Sequence, residues 1–314
     1  MKTSANFLLF FALAFFGLGL SSAISQTDKK PFQTKEFLVT SAPVLEAELS
    51  GAAISVKGGS GNQVVIRCFL KKDGNYLAAS DSEAKEFLED FNLEISQNGN
   101  TITLVAKQKS SSGWSWKNRP GLSFEISVPE KISTEIRTSG GSVSLDGVQG
   151  TQDIASSGGS ISVKNSKGKV ETQSSGGSLH LSQFEGDVEA QTSGGSVKVE
   201  NLKGNIQAKS SGGGISLSQI FGGIEASTSG GSIRAELAEI TQNMNFQSSG
   251  GSIQITVPAS AKFNLDIRGG GISSQLINFQ GTTTKNQISG KVNGGGPSLN
   301  MSSSGGSIRI SQAD

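Results

Sequence analysis

The stretch SGGSVKVENLKGNIQAKS, residues 193–210, decides the fold because the chain repeats it. The tetrapeptide Ser-Gly-Gly-Ser, once Ser-Gly-Gly-Gly, recurs every 18 residues over the first five steps and after 20 at the sixth. It begins at Ser139, Ser157, Ser175, Ser193, Ser211, Ser229, Ser249 and again at Ser304. A fixed period of this length indicates a solenoid, in which each unit buries its apolar face against its neighbours.

Each unit contains two short segments in which apolar and polar residues alternate. In residues 193–210, Val197 and Val199 mark one segment, and Ile206 and Ala208 mark the other. Period-2 alternation is typical of half-buried strands. The apolar position of Val197 recurs at Val143, Ile161, Leu179, Ile215, Ile233 and Ile253. We therefore predict parallel strands stacked in register over a continuous core.

The spacing separates three kinds of solenoid. A left-handed hexapeptide β-helix needs an apolar residue every six positions, which residues 193–210 lack. The calcium-binding nonapeptide repeat needs an aspartate, and that place is held by Val163, Leu181, Val199 and Leu217. We predict an all-β, single-stranded, right-handed parallel β-helix with coils of about 18 residues and tight glycine turns, without metal or cofactor.

A hydroxyl side chain precedes every turn of the repeat. The column consists of Thr138, Ser156, Ser174, Thr192, Ser210, Thr228 and Ser248. Hydroxyls at a sharp bend can bond one another and the turn backbone. We predict a structural role for this column, and a sugar-binding hydroxyl ladder is the alternative.

The first 23 residues have the pattern of a secretory signal peptide. Lys2 precedes an apolar run from Phe7 to Leu20, which is too short for the ~20 residues that span a bilayer, and small residues end at Ala23. We expect a protein exported to the periplasm, the outer cell surface or the medium. With 27 basic and 26 acidic residues, the charge gives no reason to expect nucleic acid as a partner.

Residues 24–135 are predicted to form a β-rich segment that caps the solenoid. Strands are indicated at Ala53 to Val56, Val64 to Leu70, Leu93 to Ser96, Thr101 to Ala106 and Leu122 to Val128. Asn98-Gly99 is a hairpin signal, and Ser80 with Glu83 reads as a capping box for one helix. The lone Cys68 alternates with apolar neighbours, which predicts a buried thiol.

Residues 136–256 are the tandem repeats, and residues 257–314 are predicted to be C-terminal coils. The last strand-like segment, Ile308 to Gln312, is followed by two residues only. An open parallel edge invites pairing. We therefore expect either a local cover from residues 294–297 or edge-to-edge self-association through the C-terminal coil.

The order of these segments resembles the bacterial putative-adhesin family of β-strand repeats, a domain of unknown function. The resemblance rests on Ile54-Ser55-Val56-Lys57-Gly58, on Ile126-Ser127-Val128-Pro129, on the tandem motifs and on the closing strands at 269–272 and 304–308. It implies a right-handed β-helix and an envelope location. It brings no catalytic residues.

Residues suited to catalysis are scarce. His180 is the only histidine and stands in an outward column with Ser144, Ser162, Lys198, Ser216, Arg234 and Gln254. One histidine and one cysteine cannot supply a nucleophilic triad or a multi-histidine metal site. We therefore expect no enzymatic activity.

Two candidate binding features stand out. One outward column contains Asp153, Glu171, Glu189 and Glu225, with Gln207 between the last two. This column could bind a substrate or cation, or could be a solvated stripe. Trp114 and Trp116 lie in a polar loop and could stack on a sugar ring, or could fold back over the first coils as a cap. We expect a non-enzymatic adhesin or envelope-interaction protein, with a glycan-binding or glycan-degrading protein and a self-assembling structural element as alternatives.

Overall fold

The computed structural model describes residues 29–89, 91–109 and 120–313 as an all-β fold with one helix. The N-terminal elements are β1 (Gln33–Leu38), β2 (Val44–Leu49), β3 (Ala53–Gly59), β4 (Gln63–Lys72), β5 (Asn75–Leu77), α1 (Ser82–Glu89), β6 (Phe91–Asn98), β7 (Thr101–Gln108), β8 (Gly121–Pro129) and β9 (Ser133–Thr138). No helix in the described part of the chain has the length and apolar character needed to cross a bilayer.

The repeats and the C-terminal segment supply the remaining strands. Those of the repeats are β10 (Val143–Asp146), β11 (Gln149–Ser156), β12 (Ile161–Ser174), β13 (Leu179–Thr192), β14 (Val197–Lys203), β15 (Ile206–Ser210), β16 (Ile215–Phe221), β17 (Ile224–Thr228), β18 (Ile233–Leu237), β19 (Met244–Ser248) and β20 (Ile253–Val257). Those of the C-terminal segment are β21 (Phe263–Gln275), β22 (Phe279–Thr283), β23 (Gln287–Val292) and β24 (Ser298–Gln312).

Two stacks of parallel strands form the solenoid-like repeat. Stack A contains β3, β10, the first parts of β12 and β13, then β14, β16, β18, β20 and the last part of β24. Stack B contains β2, β9, β11, the last parts of β12 and β13, then β15, β17, β19 and the first part of β24.

The predicted apolar column is confirmed. Val197 pairs with Leu179 on one side and Ile215 on the other, so equivalent positions of successive repeats lie side by side. The column residues from Val143 to Ile253 are buried, and Ile308 of β24 extends the column. Because strand side chains alternate between faces, this register also directs the intervening polar residues outward.

The hydroxyl column has the structural role that was predicted, although the hydroxyls bond backbone rather than one another. Thr192 Oγ1 donates to the carbonyl of Gly177 in the preceding repeat at 2.9 Å and accepts the N–H of Gly195 at 3.3 Å. The same pair of bonds recurs at Ser210 and Thr228. Each of these three hydroxyls therefore joins two successive turns.

The second glycine of the turn is required by close approach of the backbones. A Cβ at Gly195 would lie 2.1 Å from the carbonyl oxygen of Gly177, which is a severe clash. At the first glycine, Gly194, the nearest atom to a Cβ would be 3.4 Å away. Stacking of the turns thus explains why the second position is glycine in every repeat.

The five strands predicted in the N-terminal segment are confirmed within β3, β4, β6, β7 and β8. β2 and β3 already pair in parallel with β9 and β10, whereas β4 and β6 pair antiparallel with β8 and β7. The β6–β7 hairpin turns at Gly99, as predicted. The capping box is wrong, because α1 begins at Ser82 and the carboxylate of Glu83 bonds Lys72 instead.

The expectation of an open edge at Ile308 to Gln312 is also wrong. β24 lies between two parallel neighbours: β19 and β20 on one side and β21 on the other. β24 continues the repeat because it has the turn signature: Ser303 bonds Gly251 and Gly306 as the other hydroxyls do. The paired position in β21 is Gly269, which has no hydroxyl. β21 therefore takes the terminal place, although it comes earlier in the chain.

Candidate functional site: an acidic and amide face

One outward column of stack B contains the predicted carboxylates. Asp153, Glu171 and Glu189 lie in register on successive strands, and Gln207 separates Glu189 from Glu225. We call the whole column the acidic–amide column. From the N-terminal end it consists of Glu46, Glu135, Asp153, Glu171, Glu189, Gln207, Glu225, Asn245, Asn300 and Asp266.

Half of these residues were missed by sequence analysis. Glu135, Asn245 and Asn300 each stand four positions before a Ser-Gly-Gly motif, the offset shared by the four predicted carboxylates. That offset was the signal that could have found them. Glu46 lies outside the repeats, and Asp266 lies on a strand that joins the stack out of chain order, so neither has such a signal.

One arginine offsets part of the negative charge in the N-terminal half of the column. Carboxylates on neighbouring parallel strands are ~4.8 Å apart and repel one another. The Arg137 guanidinium lies between two of them, 2.9 Å from Asp153 Oδ1 and 3.6 Å from Glu135. The hydrogen bond to Asp153 raises the pKa of Arg137 above its ordinary value. Gln173 Nε2 donates to Glu171 at 3.2 Å, a hydrogen bond that adds no positive charge.

A surface groove of about 530 Å³ follows the C-terminal half of the column. Between its two rims lie Val188, Ile206, Ile224 and Met244, whose side chains are buried in the core, so the strand backbone forms the floor. One rim belongs to the acidic–amide column and the other to an adjacent polar row. The rim residues are Glu189, Gln207, Glu225, Asn245 and Asn300 on the first side, and Lys169, Asp187, Asn205 and Asn243 on the second.

The second rim is held in place by hydrogen bonds across the stack. Asn205 Nδ2 donates to Asp187 at 3.2 Å, and its Oδ1 accepts the N–H of Gly223 at 3.0 Å. Asn243 Oδ1 accepts the N–H of Ser298 at 2.9 Å. Because these bonds connect Asp187, Asn205 and Asn243 to neighbouring strands, this part of the rim is preorganised for a ligand.

Several side chains of the first rim have donors and acceptors that other side chains of the described chain do not occupy. Gln207 Nε2 donates to Glu225 at 3.0 Å. Within residues 29–89, 91–109 and 120–313, no side-chain partner is found for Glu189, Asn245 or Asn300. Carboxylates accept and amides both donate and accept, so together they match hydroxyl groups, which also do both. Three acidic residues and one lysine line the groove, which disfavours a polyanionic ligand.

His180 lies on stack A, away from the groove. It pairs with Ser162 and Lys198 in the outward column that was predicted. Its Nε2 is 3.1 Å from Glu200, which also binds Lys198 at 2.9 Å. The hydrogen bonds from Lys198 and His180 lower the pKa of the Glu200 carboxyl. This cluster is a partly exposed surface network built on the Lys198–Glu200 ion pair.

Two further predictions concern Cys68 and the two tryptophans. Cys68 is buried, as predicted, and burial raises the pKa of its thiol to about 12. The predictions for Trp114 and Trp116 lie outside the described residues. The described part of the chain brings together no group of three or more His, Cys, Asp or Glu side chains that could hold a metal ion.

Comparison with known families gives one match. The model of the Toastrack DUF4097 family matches residues 54–311, which is most of the chain. No significant match was found among curated protein sequences.

The fold is also similar to that of solved bacterial protein structures. A putative adhesin from Bacteroides fragilis NCTC 9343 is 15% identical, with 91% of this chain and 99% of that chain covered and a TM-score of 0.43. A putative lipid binding protein from Parabacteroides distasonis ATCC 8503 is 14% identical, with 90% and 98% covered and a TM-score of 0.40. At TM-scores below 0.5, adhesion and lipid binding are attributed to those two proteins and not to this chain.

Proposed function

We propose that this chain, which belongs to the Toastrack DUF4097 family, is an exported, non-enzymatic binding protein of the adhesin type. Its binding surface is the groove on stack B, and its ligand is a neutral glycan of the cell envelope or of a host surface. We further propose that the stacks wind as a right-handed parallel β-helix with coils of about 18 residues. Paired positions such as Leu179 and Val197 support this coil length.

The groove itself is the observation that carries the proposal. It places two rows of outward carboxylates and amides on either side of a floor of strand backbone. In ligand sites, a few polar groups placed in this way fix the orientation of the ligand. The side chains of Glu189, Asn245 and Asn300 project hydrogen-bonding groups that the described chain does not use.

The exposure of the carboxylates supports binding rather than catalysis. A glycosidase general acid stays protonated because it lies in an apolar pocket. The Asp153 side chain is 42% exposed and bound to Arg137, and Glu225 is exposed on the rim. Neither carboxylate lies in the apolar pocket that this role requires.

The export part of the proposal rests on residues 1–23 of the sequence. The basic residue, apolar run and small residues there have the order of a signal peptide. Secretion of a reporter fused to these residues, with cleavage after Ala23, tests this part. A reporter retained uncleaved in the cytoplasm would contradict it.

The binding part is tested with purified protein on an array of neutral, amino and acidic glycans, followed by calorimetry on the best ligand. We expect neutral glycans to bind best. The double variant Glu189→Ala/Asn245→Ala removes one carboxylate and one amide from the groove, and should weaken binding at least about tenfold.

The matched control is Glu236→Ala/Gln254→Ala, which removes the same two chemical groups from outward positions of stack A. It should bind as the unchanged protein does. Equal loss in both double variants, or binding confined to acidic glycans, would contradict the assignment of the groove. Hydrolysis of any bound glycan would contradict the non-enzymatic part.

A further inference from the structure

The two ends of the stacks differ in how their edges are guarded. At the N-terminal end the outermost strands carry charges: Lys35 and Glu36 in β1, and Glu94 in β6. At the C-terminal end the outermost segments are the last part of β21, Gly271 to Gln275, and β22. Residues 269–284 contain no charged residue. Charged side chains are a common defence of strand edges against pairing.

The last part of β21 is an open edge. It pairs with β24 on one side, and the described residues place no strand on its other side. Ser273, Ser274 and Gln275 are exposed, and the neighbouring Ile277 is 68% exposed. A parallel strand left in this way presents unpaired N–H and C=O groups without proline or charge to block them.

We propose that this edge pairs with the same edge of a second copy of the chain, in an antiparallel arrangement with a two-fold axis at Ser273. Such an axis places Ile272 opposite Ser274 and Ser273 opposite itself. Opposed residues of antiparallel strands have their side chains on the same face of the sheet. Ile272 and Ser274 both lie on the inner face, so the inner faces of the two copies become continuous. The nearest charged residue in stack A is Arg309, which pairs with Ser273. The two copies of Arg309 would be separated by three strand spacings, ~14 Å, so they would repel each other only weakly.

Charge favours a closed dimer over a chain of molecules. A head-to-tail contact would set the neutral edge against β1 or β6. The side chains of Lys35, Glu36 and Glu94 would then lose water without gaining an opposite charge. The two-fold contact brings only uncharged residues together and uses each edge once, so it stops at two copies. The groove on stack B is not part of this contact, so the proposal goes beyond glycan binding and does not depend on it.

Sedimentation tests the dimer directly. The unchanged protein should show a concentration-dependent monomer–dimer equilibrium. Ser273→Lys places two like charges opposite each other and should weaken the dimer at least about tenfold. The control Ser60→Lys adds the same charge at an exposed position of the N-terminal segment and should leave the equilibrium unchanged. A monomer at every soluble concentration, or a dimer equally stable in Ser273→Lys, would overturn the proposal.

Cross-linking tests the two-fold axis. Directly opposed residues of antiparallel strands have Cα atoms ~4.5–5.5 Å apart, within the range that a disulfide bridges. Ser273→Cys should therefore form a covalent dimer on mild oxidation. Ser60→Cys should not, and Cys68 is buried. Absence of the Ser273→Cys dimer, or its equal formation in Ser60→Cys, would rule out the pairing about Ser273.

Discussion

The hydroxyl column makes a sharp prediction at Thr192. Its Oγ1 donates to Gly177 at 2.9 Å and accepts from Gly195 at 3.3 Å, and the residue is 2% exposed. Thr192→Val keeps the shape of the side chain and removes both bonds. The Gly177 carbonyl is then left buried without this partner, which costs ~1–3 kcal/mol, and loss of the weaker bond at half-buried Gly195 adds ~1 kcal/mol. We expect a loss of about 2–4 kcal/mol in the free energy of unfolding.

Chemical denaturation followed by circular dichroism measures this loss. The control is Thr151→Val, an exposed strand position, which should change the free energy of unfolding by less than about 0.5 kcal/mol. If Thr192→Val were as stable as this control, the joining of successive turns by hydroxyls would contribute nothing, and the structural explanation of the column would fail.

The same architecture predicts further outcomes at Gly195, at Cys68 and on treatment with EDTA. Gly195→Ala should lower the melting temperature far more than Gly194→Ala, because a Cβ at Gly195 would lie 2.1 Å from a backbone oxygen and one at Gly194 would be 3.4 Å from its nearest atom. Equal melting temperatures would contradict the close stacking of the turns. The Cys68 thiol should react with a thiol reagent at pH 8 only after unfolding. Because burial raises its pKa from 9.0 to about 12, the thiol's contribution to stability is complete below pH 9 and declines as pH rises towards 12. A Cys68→Val variant with the same alkaline decline would disprove this. EDTA should leave the melting temperature unchanged, because apolar residues occupy the positions where the calcium-binding repeat needs aspartate. A large drop in melting temperature would show that a bound metal stabilises the fold.

Sequence analysis predicted the register of the repeats, because one apolar position recurs at a fixed step and alternation then fixes both faces. It also placed His180 and the four carboxylates in the columns that the structure shows. The order of the last strands was not foreseen. Residues 269–272 and 304–308 share a glycine-rich pattern, and what separates them is the hydroxyl at Ser303, which β21 lacks.

The groove could not be read from the sequence because its rims depend on contacts between repeats. Asn205 is an unremarkable turn residue in its own repeat, and only stacking brings it to Asp187 and Gly223. Likewise, Asn300 reaches the rim because β24 pairs with β19 across more than fifty residues of chain. Local alternation predicts which side chains face outward, whereas the pairing of distant strands decides which of them meet.

The binding surface is tested most directly by hydrogen exchange of the protein with and without the tightest-binding neutral glycan from the array. The account predicts slower exchange in the strands that form the groove, at residues 187–191, 205–209, 223–227 and 243–247, with the strands of stack A unchanged. Slower exchange confined to stack A, or failure of every neutral glycan to bind, would contradict the claim that the acidic and amide face is the binding site.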